Sequence, residues 1–260
     1  MKTPVTAGRE EIISAALKKA GLAPASVLKC EVRKTSLDAR DNSRICLVSS
    51  IWAELGDEAA ELRLCERKDF CDHVSYGTDA AEKLLPEKNS ANKNKKVVIA
   101  GFGPAGIFAA LTLAEYGFEP IVAERGGDVD ERTDAVHGFW NGGELDTSTN
   151  VQFGEGGAGT FSDGKLTTRI SDPLCRYVLE KFAEHGAPEE ILCKAKPHIG
   201  TDKLRGVIKN LRERIVSLGG QVRFHTALTD FSSENGQIKS VTLNGSEEMP
   251  CDALILAVGH

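Results

Sequence analysis

The sequence predicts an α/β chain: a parallel-sheet domain preceded by a smaller α+β segment. Three features carry that expectation. Residues 97–123 read as strand, glycine-rich turn, helix and strand; residues 12–55 read as one helix followed by two strands; and Pro86 to Lys96 is polar, without a large apolar residue. That polar stretch has the composition of a linker. The expected division is a small α+β domain over 1–88, a linker over 89–96 and the larger domain over 97–260.

In the first segment Ile12, Ile13, Ala16, Leu17 and Ala20 fall at helical spacing, with Gly21 placed to end the helix. Val27 to Arg33 and Ile45 to Leu55 have the character of strands. In the second, Val97-Val98-Ile99-Ala100 is the short apolar run of a strand buried on both faces. Ile107 to Tyr116 is an Ala- and Leu-rich helix closing at Gly117, and Pro120 to Ala123 is the next strand. Together they make a complete crossover, right-handed by the usual rule.

From Gly126 to Thr168 glycines are frequent and apolar periodicity is weak, so a long loop serving a site is expected. Thr201 is a candidate N-cap for a helix with Leu204, Ile208, Leu211, Ile215 and Leu218 on one face, ended by Gly219-Gly220. Gln221 to His225 is the following strand, and Asn235-Gly236 and Asn244-Gly245 flank Ile238 to Leu243 as in an antiparallel meander. A last apolar strand, Ala253 to Val258, ends in Gly259. A buried central strand needs neighbours on both sides, so this domain is expected to be truncated at its C-terminus.

Composition excludes several classes. A formal charge of −6 gives no electrostatic case for nucleic acid, and the first segment lacks the basic, aromatic surface of an RNA binder. No apolar run approaches the ~20 residues of a membrane span, and no signal peptide is readable. Seven scattered cysteines suit a reducing compartment, so a cytoplasmic location is expected. Cys65, Cys71 and His73 lack the spacing of a zinc site, and no metal is expected.

The chemistry lies in Gly101-Phe102-Gly103-Pro104-Ala105-Gly106. The first glycine allows a tight turn, the second lets backbone approach a pyrophosphate, and the third lets helix pack on strand. The helix that follows offers free N–H groups and its positive dipole end to phosphates. Glu124 ends the next strand at a spacing of 124 − 101 = 23 residues, close to the ~20 expected of the acid that binds ribose hydroxyls. An adenine-dinucleotide site in a Rossmann-like domain follows. A carboxylate at Glu124 repels a 2′-phosphate, which argues against NADP here, whereas NAD and FAD share both the turn and the acid.

The stretch from Val97 to Arg125 resembles the two-dinucleotide-binding-domain flavoproteins. Asp130-Glu131-Arg132-Thr133 and the run Asn150 to Leu166 are similar to a group of bacterial FAD-dependent dehydrogenases of unassigned substrate, about twice this length, and Ser36 to Arg40 resembles their small N-terminal α+β domain. The resemblance implies FAD, with NAD(P)H as a candidate electron partner. It implies that Gly101, Gly103, Pro104, Ala105 and Gly106 surround the pyrophosphate and that Glu124 holds the adenosine ribose. Arg125 and Arg132 would lie near ribose and phosphates. Gly156, Gly157, Ala158, Gly159 and Thr160 would form a second glycine-rich loop along the pyrophosphate and ribityl chain. Leu228 would lend backbone groups to the adenine, and Gly259 would meet the cofactor again.

The function expected is that of an FAD-dependent oxidoreductase, or its cofactor-binding half, acting on a small molecule. The alternatives are an NAD-dependent dehydrogenase and a non-enzymatic flavin-binding or interaction module. Asp163 and Lys165 are expected in positioning roles, and Phe139 and Trp140 in core packing. His137, His185, His198 and His225 are each isolated in sequence. No nucleophile–base pair is legible, so no catalytic residue is assigned.

Overall fold

The computed structural model describes residues 1–67, 90–162, 164–166, 168, 170, 172 and 174–259. The elements run β1 (Lys2–Thr3), α1 (Arg9–Ala20), β2 (Val27–Asp38), β3 (Cys46–Leu55), α2 (Glu58–Glu66), β4 (Val97–Ala100), α3 (Pro104–Glu115), β5 (Ile121–Ala123) and α4 (Val129–Trp140). They continue with α5 (Leu174–Glu184), α6 (Thr201–Ser217), β6 (Gln221–Arg223), β7 (Leu228–Glu234), β8 (Gln237–Leu243), β9 (Glu247–Pro250) and β10 (Ala253–Leu256). Two compact units result. One comprises Met1–Lys83, Thr167–Leu179 and Glu189–Pro197; the other comprises Leu84–Leu166, Glu180–Pro188 and His198–His260.

In the first unit β1, β3 and β2 form an antiparallel sheet in that order. Helix α1 packs on β2 and β3 and buries Ile12 and Leu17. It ends at Gly21, whose φ of 72° is the left-handed conformation that glycine adopts without a Cβ penalty. Helix α2 is unanticipated by periodicity because it buries no residue; its start is set instead by Asp57, whose carboxylate accepts the Ala59 N–H at 2.9 Å.

The second unit holds a parallel sheet in the order β10–β4–β5–β6. All four residues of β4 are buried, as expected of a central strand covered on both faces. One face is covered by the antiparallel meander β7–β8–β9: Val241, Leu243 and Cys251 pack with Val98 and Ala123. Asn235 and Gly236 (φ 52° and 76°) and Asn244 and Gly245 (φ 48° and 73°) make the two hairpin turns. Pleat alternation turns Val97 and Ile99 to the other face. There α3, which packs on β4 and β5, buries Ile107, Ala110, Leu111 and Ala114.

Three expectations need correction. The segment 126–168 is not one long loop, because α4 lies within it. Asp128 caps that helix by accepting the Asp130 and Glu131 N–H groups, each at 3.0 Å. Its buried face is Val129, Arg132 and Val136, and the arginine in the middle hides the apolar period. Thr201 is the first helical residue of α6 rather than its cap; Gly200 precedes it, with no side-chain hydrogen bond. Phe139 and Trp140 are exposed at the end of α4 rather than packed in a core.

Candidate dinucleotide site

The chain leaves β4, adds β5 and β6 on one side and returns with β10 on the other, so the strand order reverses beside β4. Ligands of open α/β sheets sit outside the carboxyl ends of the strands at such a switch point. A cavity of about 780 Å³ opens there, lined by the ends of β4 (Ala100, Gly101), β5 (Ala123, Glu124) and β10 (Leu256 to Gly259). Its size falls within the range of small-molecule and cofactor pockets, roughly 300–1,000 Å³.

Close contacts account for two of the three glycines in the turn. Gly101 has φ 95°, and a Cβ there would stand 2.6 Å from the Ala257 carbonyl oxygen. A Cβ on Gly106 would strike the Gly101 carbonyl oxygen, so this glycine serves helix–strand packing and does not line the cavity. Gly103 is different: nothing lies within 4 Å of an added Cβ. It caps α3 with no side-chain hydrogen bond, and Pro104 follows it. By helix geometry the N–H groups of Ala105 and Gly106 have no acceptor inside the helix. Open space before unsatisfied donors fits an anionic group.

Glu124 is buried, and its carboxylate faces the turn. It accepts the Phe102 N–H at 2.7 Å and the Gly126 N–H at 2.9 Å. Phe102, which residue type alone does not mark as functional, thus becomes a junction. Its N–H goes to Glu124, and its carbonyl accepts the Gly156 N–H at 3.0 Å. The second glycine loop is thereby fastened to the first. Gly157 lies against the Pro104 ring, and both line the cavity.

Of the predicted residues, Gly101, Gly103, Pro104, Ala105, Glu124, Arg125, Gly157, Ala158, Leu228 and Gly259 come together on the cavity wall. Gly106, Arg132, Gly156, Gly159 and Thr160 are not on it. Gln152, Phe153 and Gly154, from the run that carries the family resemblance, also stand on the wall, and Thr226 and Ala227 join it. Phe153 carries the Arg125 guanidinium 5.2 Å from its ring centroid, and an aromatic within a glycine run was the available signal. Lys165 is exposed and off the wall. Asp163, Cys71 and His73 lie outside the described residues; among those described, no group of metal-ligating side chains is gathered.

Behind the wall Glu155 is fully buried. One carboxylate oxygen, Oε2, accepts the Val129 N–H at 2.6 Å and the Arg212 Nη1 at 3.0 Å, while Oε1 has no partner. Burial pushes this carboxyl up to about 7, against the pull of Arg212 and with a further push from Asp128 and Glu124. The folded chain therefore holds the proton more tightly than the unfolded chain, whose carboxyl titrates near 4.5. Stability from this group is fullest below pH 4.5 and is lost as pH rises towards 7, by about 3 kcal/mol in all. Glu155→Gln is expected to remove that slope. The check is the difference in melting temperature between wild type and variant across pH 4–8; a constant difference would assign the slope to other groups.

No family model matches the chain. A protein of Clostridium beijerinckii (strain ATCC 51743 / NCIMB 8052), described as an uncharacterized protein, is 44% identical over 244 residues, which cover 94% of this chain and 44% of that protein. The chain thus spans less than half the length of that relative. Among solved structures, the ferredoxin reductase for the CYP199A2 system from Rhodopseudomonas palustris aligns with TM-score 0.31 and 18% identity, over 64% of this chain and 24% of that one. Thermovibrio ammonificans THI4 aligns with TM-score 0.40 and 18% identity, over 69% and 61%. L-proline dehydrogenase from P. horikoshii aligns with TM-score 0.42 and 16% identity, over 67% and 54%. Strand order and cavity position rest on the chain's own geometry.

Proposed function

We propose that this chain is the cofactor-binding portion of an FAD-dependent oxidoreductase acting on a small molecule. The observation that carries the reading is the placement of Glu124, whose carboxylate is held inside the glycine turn by the Phe102 N–H, at the switch point of a parallel sheet and beside the open mouth of α3. The preference for FAD over NAD is supported by Gly157 and Ala158 of the second glycine loop, which stand on the same wall with Gly154, and by the family resemblance of that run.

When bound, a flavin supplies the redox chemistry by accepting a hydride or electrons. The protein's part is to bind and orient. Glu124 would accept hydrogen bonds from the ribose hydroxyls with lone pairs left over from the two backbone bonds. The amides opening α3 would meet the pyrophosphate. The Arg125–Phe153 stack and the 226–228 segment would border the adenosine end, with Gly157 and Ala158 beyond Pro104.

The test is a titration of the purified chain with FAD and with NAD. FAD is expected to bind with quenched flavin fluorescence, and any cofactor carried through purification is expected to be yellow and to release AMP on pyrophosphate cleavage. Binding of NAD in preference to FAD would reject the proposal.

A further inference from the structure

Arg132 was expected at the phosphates, yet it stands behind the cavity wall, fully buried. Its Nε donates to the Asn150 carbonyl at 2.8 Å, and Nη2 donates to the Val151 carbonyl at 3.0 Å. Its Nη1 faces the Glu155 carbonyl at 2.6 Å, the Gly157 carbonyl at 2.9 Å and the Thr160 hydroxyl at 2.9 Å. The guanidinium lies 4.7 Å from the Phe161 ring centroid. Burial lowers its pKa to about 10, which leaves it charged at neutral pH. All these acceptors come from one segment, 150–160, whose outer surface supplies Gly154, Gly157 and Ala158 to the cavity. The Asn150, Val151 and Glu155 carbonyls lie outside the turn hydrogen bonds of the segment, and the guanidinium supplies their donors.

We propose that Arg132 is a positioning residue that shapes the second glycine loop, so that the loop accepts the part of the cofactor beyond the first phosphate. This rests on the cofactor reading above and adds a division of labour to it. Glu124 and the mouth of α3 serve the adenosine end, and Arg132, which lies off the cavity wall, serves the flavin end through the loop. Planarity matters: a guanidinium presents donors in a fixed fork to carbonyls on several sides, whereas an ammonium is a compact charge on a flexible stem. Thr160 completes the clamp by accepting from Arg132 and donating to the Gly157 carbonyl at 2.7 Å.

The experiment compares two ligands, AMP and FAD, on the full chain. Arg132→Lys is expected to weaken FAD at least about tenfold, the effect of losing roughly one charge-assisted hydrogen bond, while AMP affinity stays within about twofold. The ratio of the two affinities is the decisive readout, because general loosening of the fold would weaken both ligands together. Should Arg132→Lys fail to fold, Thr160→Val, similar in volume, decides by the same ratio, with a smaller loss expected for FAD. An unchanged FAD-to-AMP ratio in a folded variant overturns the clamp and leaves the cofactor reading standing. Wild-type protein that binds neither ligand overturns both.

Discussion

Gly103→Val is expected to abolish dinucleotide binding while costing the apo protein only about 1 kcal/mol, the loss of a glycine at the N-cap. The two halves of that result have separate causes. Gly103 sits at φ −70° and ψ −173°, extended backbone that a β-branched residue adopts without strain. No atom lies within 4 Å of its added Cβ, so the unliganded protein has room for the side chain. That room is the mouth of α3, where a diphosphate must approach the helix amides closely. Valine would hold the anion away from those donors. Melting temperature and ligand titration on the same preparation check it: unchanged FAD and AMP affinity would mean that the ligand does not use this helix. Gly101 and Gly106 do not permit so clean a separation, because side chains there would collide with the Ala257 and Gly101 carbonyls and disturb the fold itself.

Glu124→Ala is expected to produce the opposite pattern, with loss in both stability and binding. The carboxylate holds two buried backbone donors, Phe102 N–H and Gly126 N–H, and alanine would leave both without an acceptor. At about 1–3 kcal/mol for each unsatisfied group, the apo protein should lose about 2–6 kcal/mol, a large part of a domain's net stability. Ligand affinity should fall as well, since the ribose acceptor is gone and the Phe102 junction between the glycine loops is slackened. Glu124→Gln should fall between, because one amide oxygen can serve only one of the two opposed donors well. Denaturant unfolding of the apo proteins measures the first effect. An alanine variant as stable as wild type would show that the turn does not depend on this carboxylate.

Much of the local structure is legible in the residues. The β4–α3–β5 crossover follows from an apolar run, an Ala- and Leu-rich helix and three glycines, and α6 follows from Leu204, Ile208, Leu211 and Ile215, all buried, whereas Leu218 caps the helix and is only half-buried. The meander follows from two Asn-Gly turns, since both turn residues adopt positive φ there. Helices with weak apolar faces escape this kind of reading. Helix α2 buries nothing, and α4 buries an arginine, so in both the start is marked by an aspartate cap rather than by a stripe. Arg132 shows the limit most sharply. Its place in a motif suggests contact with phosphate, but a charged side chain can equally satisfy carbonyls inside the protein, and nothing in its identity or spacing distinguishes the two.

What the sequence by itself determined was the glycine turn, the acid 23 residues beyond it and the strands and helix that carry them, because each depends on local conformation and near-neighbour spacing. What only the tertiary structure decided was which groups meet: β10 beside β4, Gly156 on Phe102, and Arg132 behind the loop rather than in front of it. The bonds of the Thr35 N–H to the Cys193 carbonyl and of the Ala195 N–H to the Thr35 carbonyl belong to the same class. Such pairings join residues far apart in the chain through backbone hydrogen bonds. Every residue except proline offers the same amide donor and carbonyl acceptor, so side-chain identity does not reveal the partner.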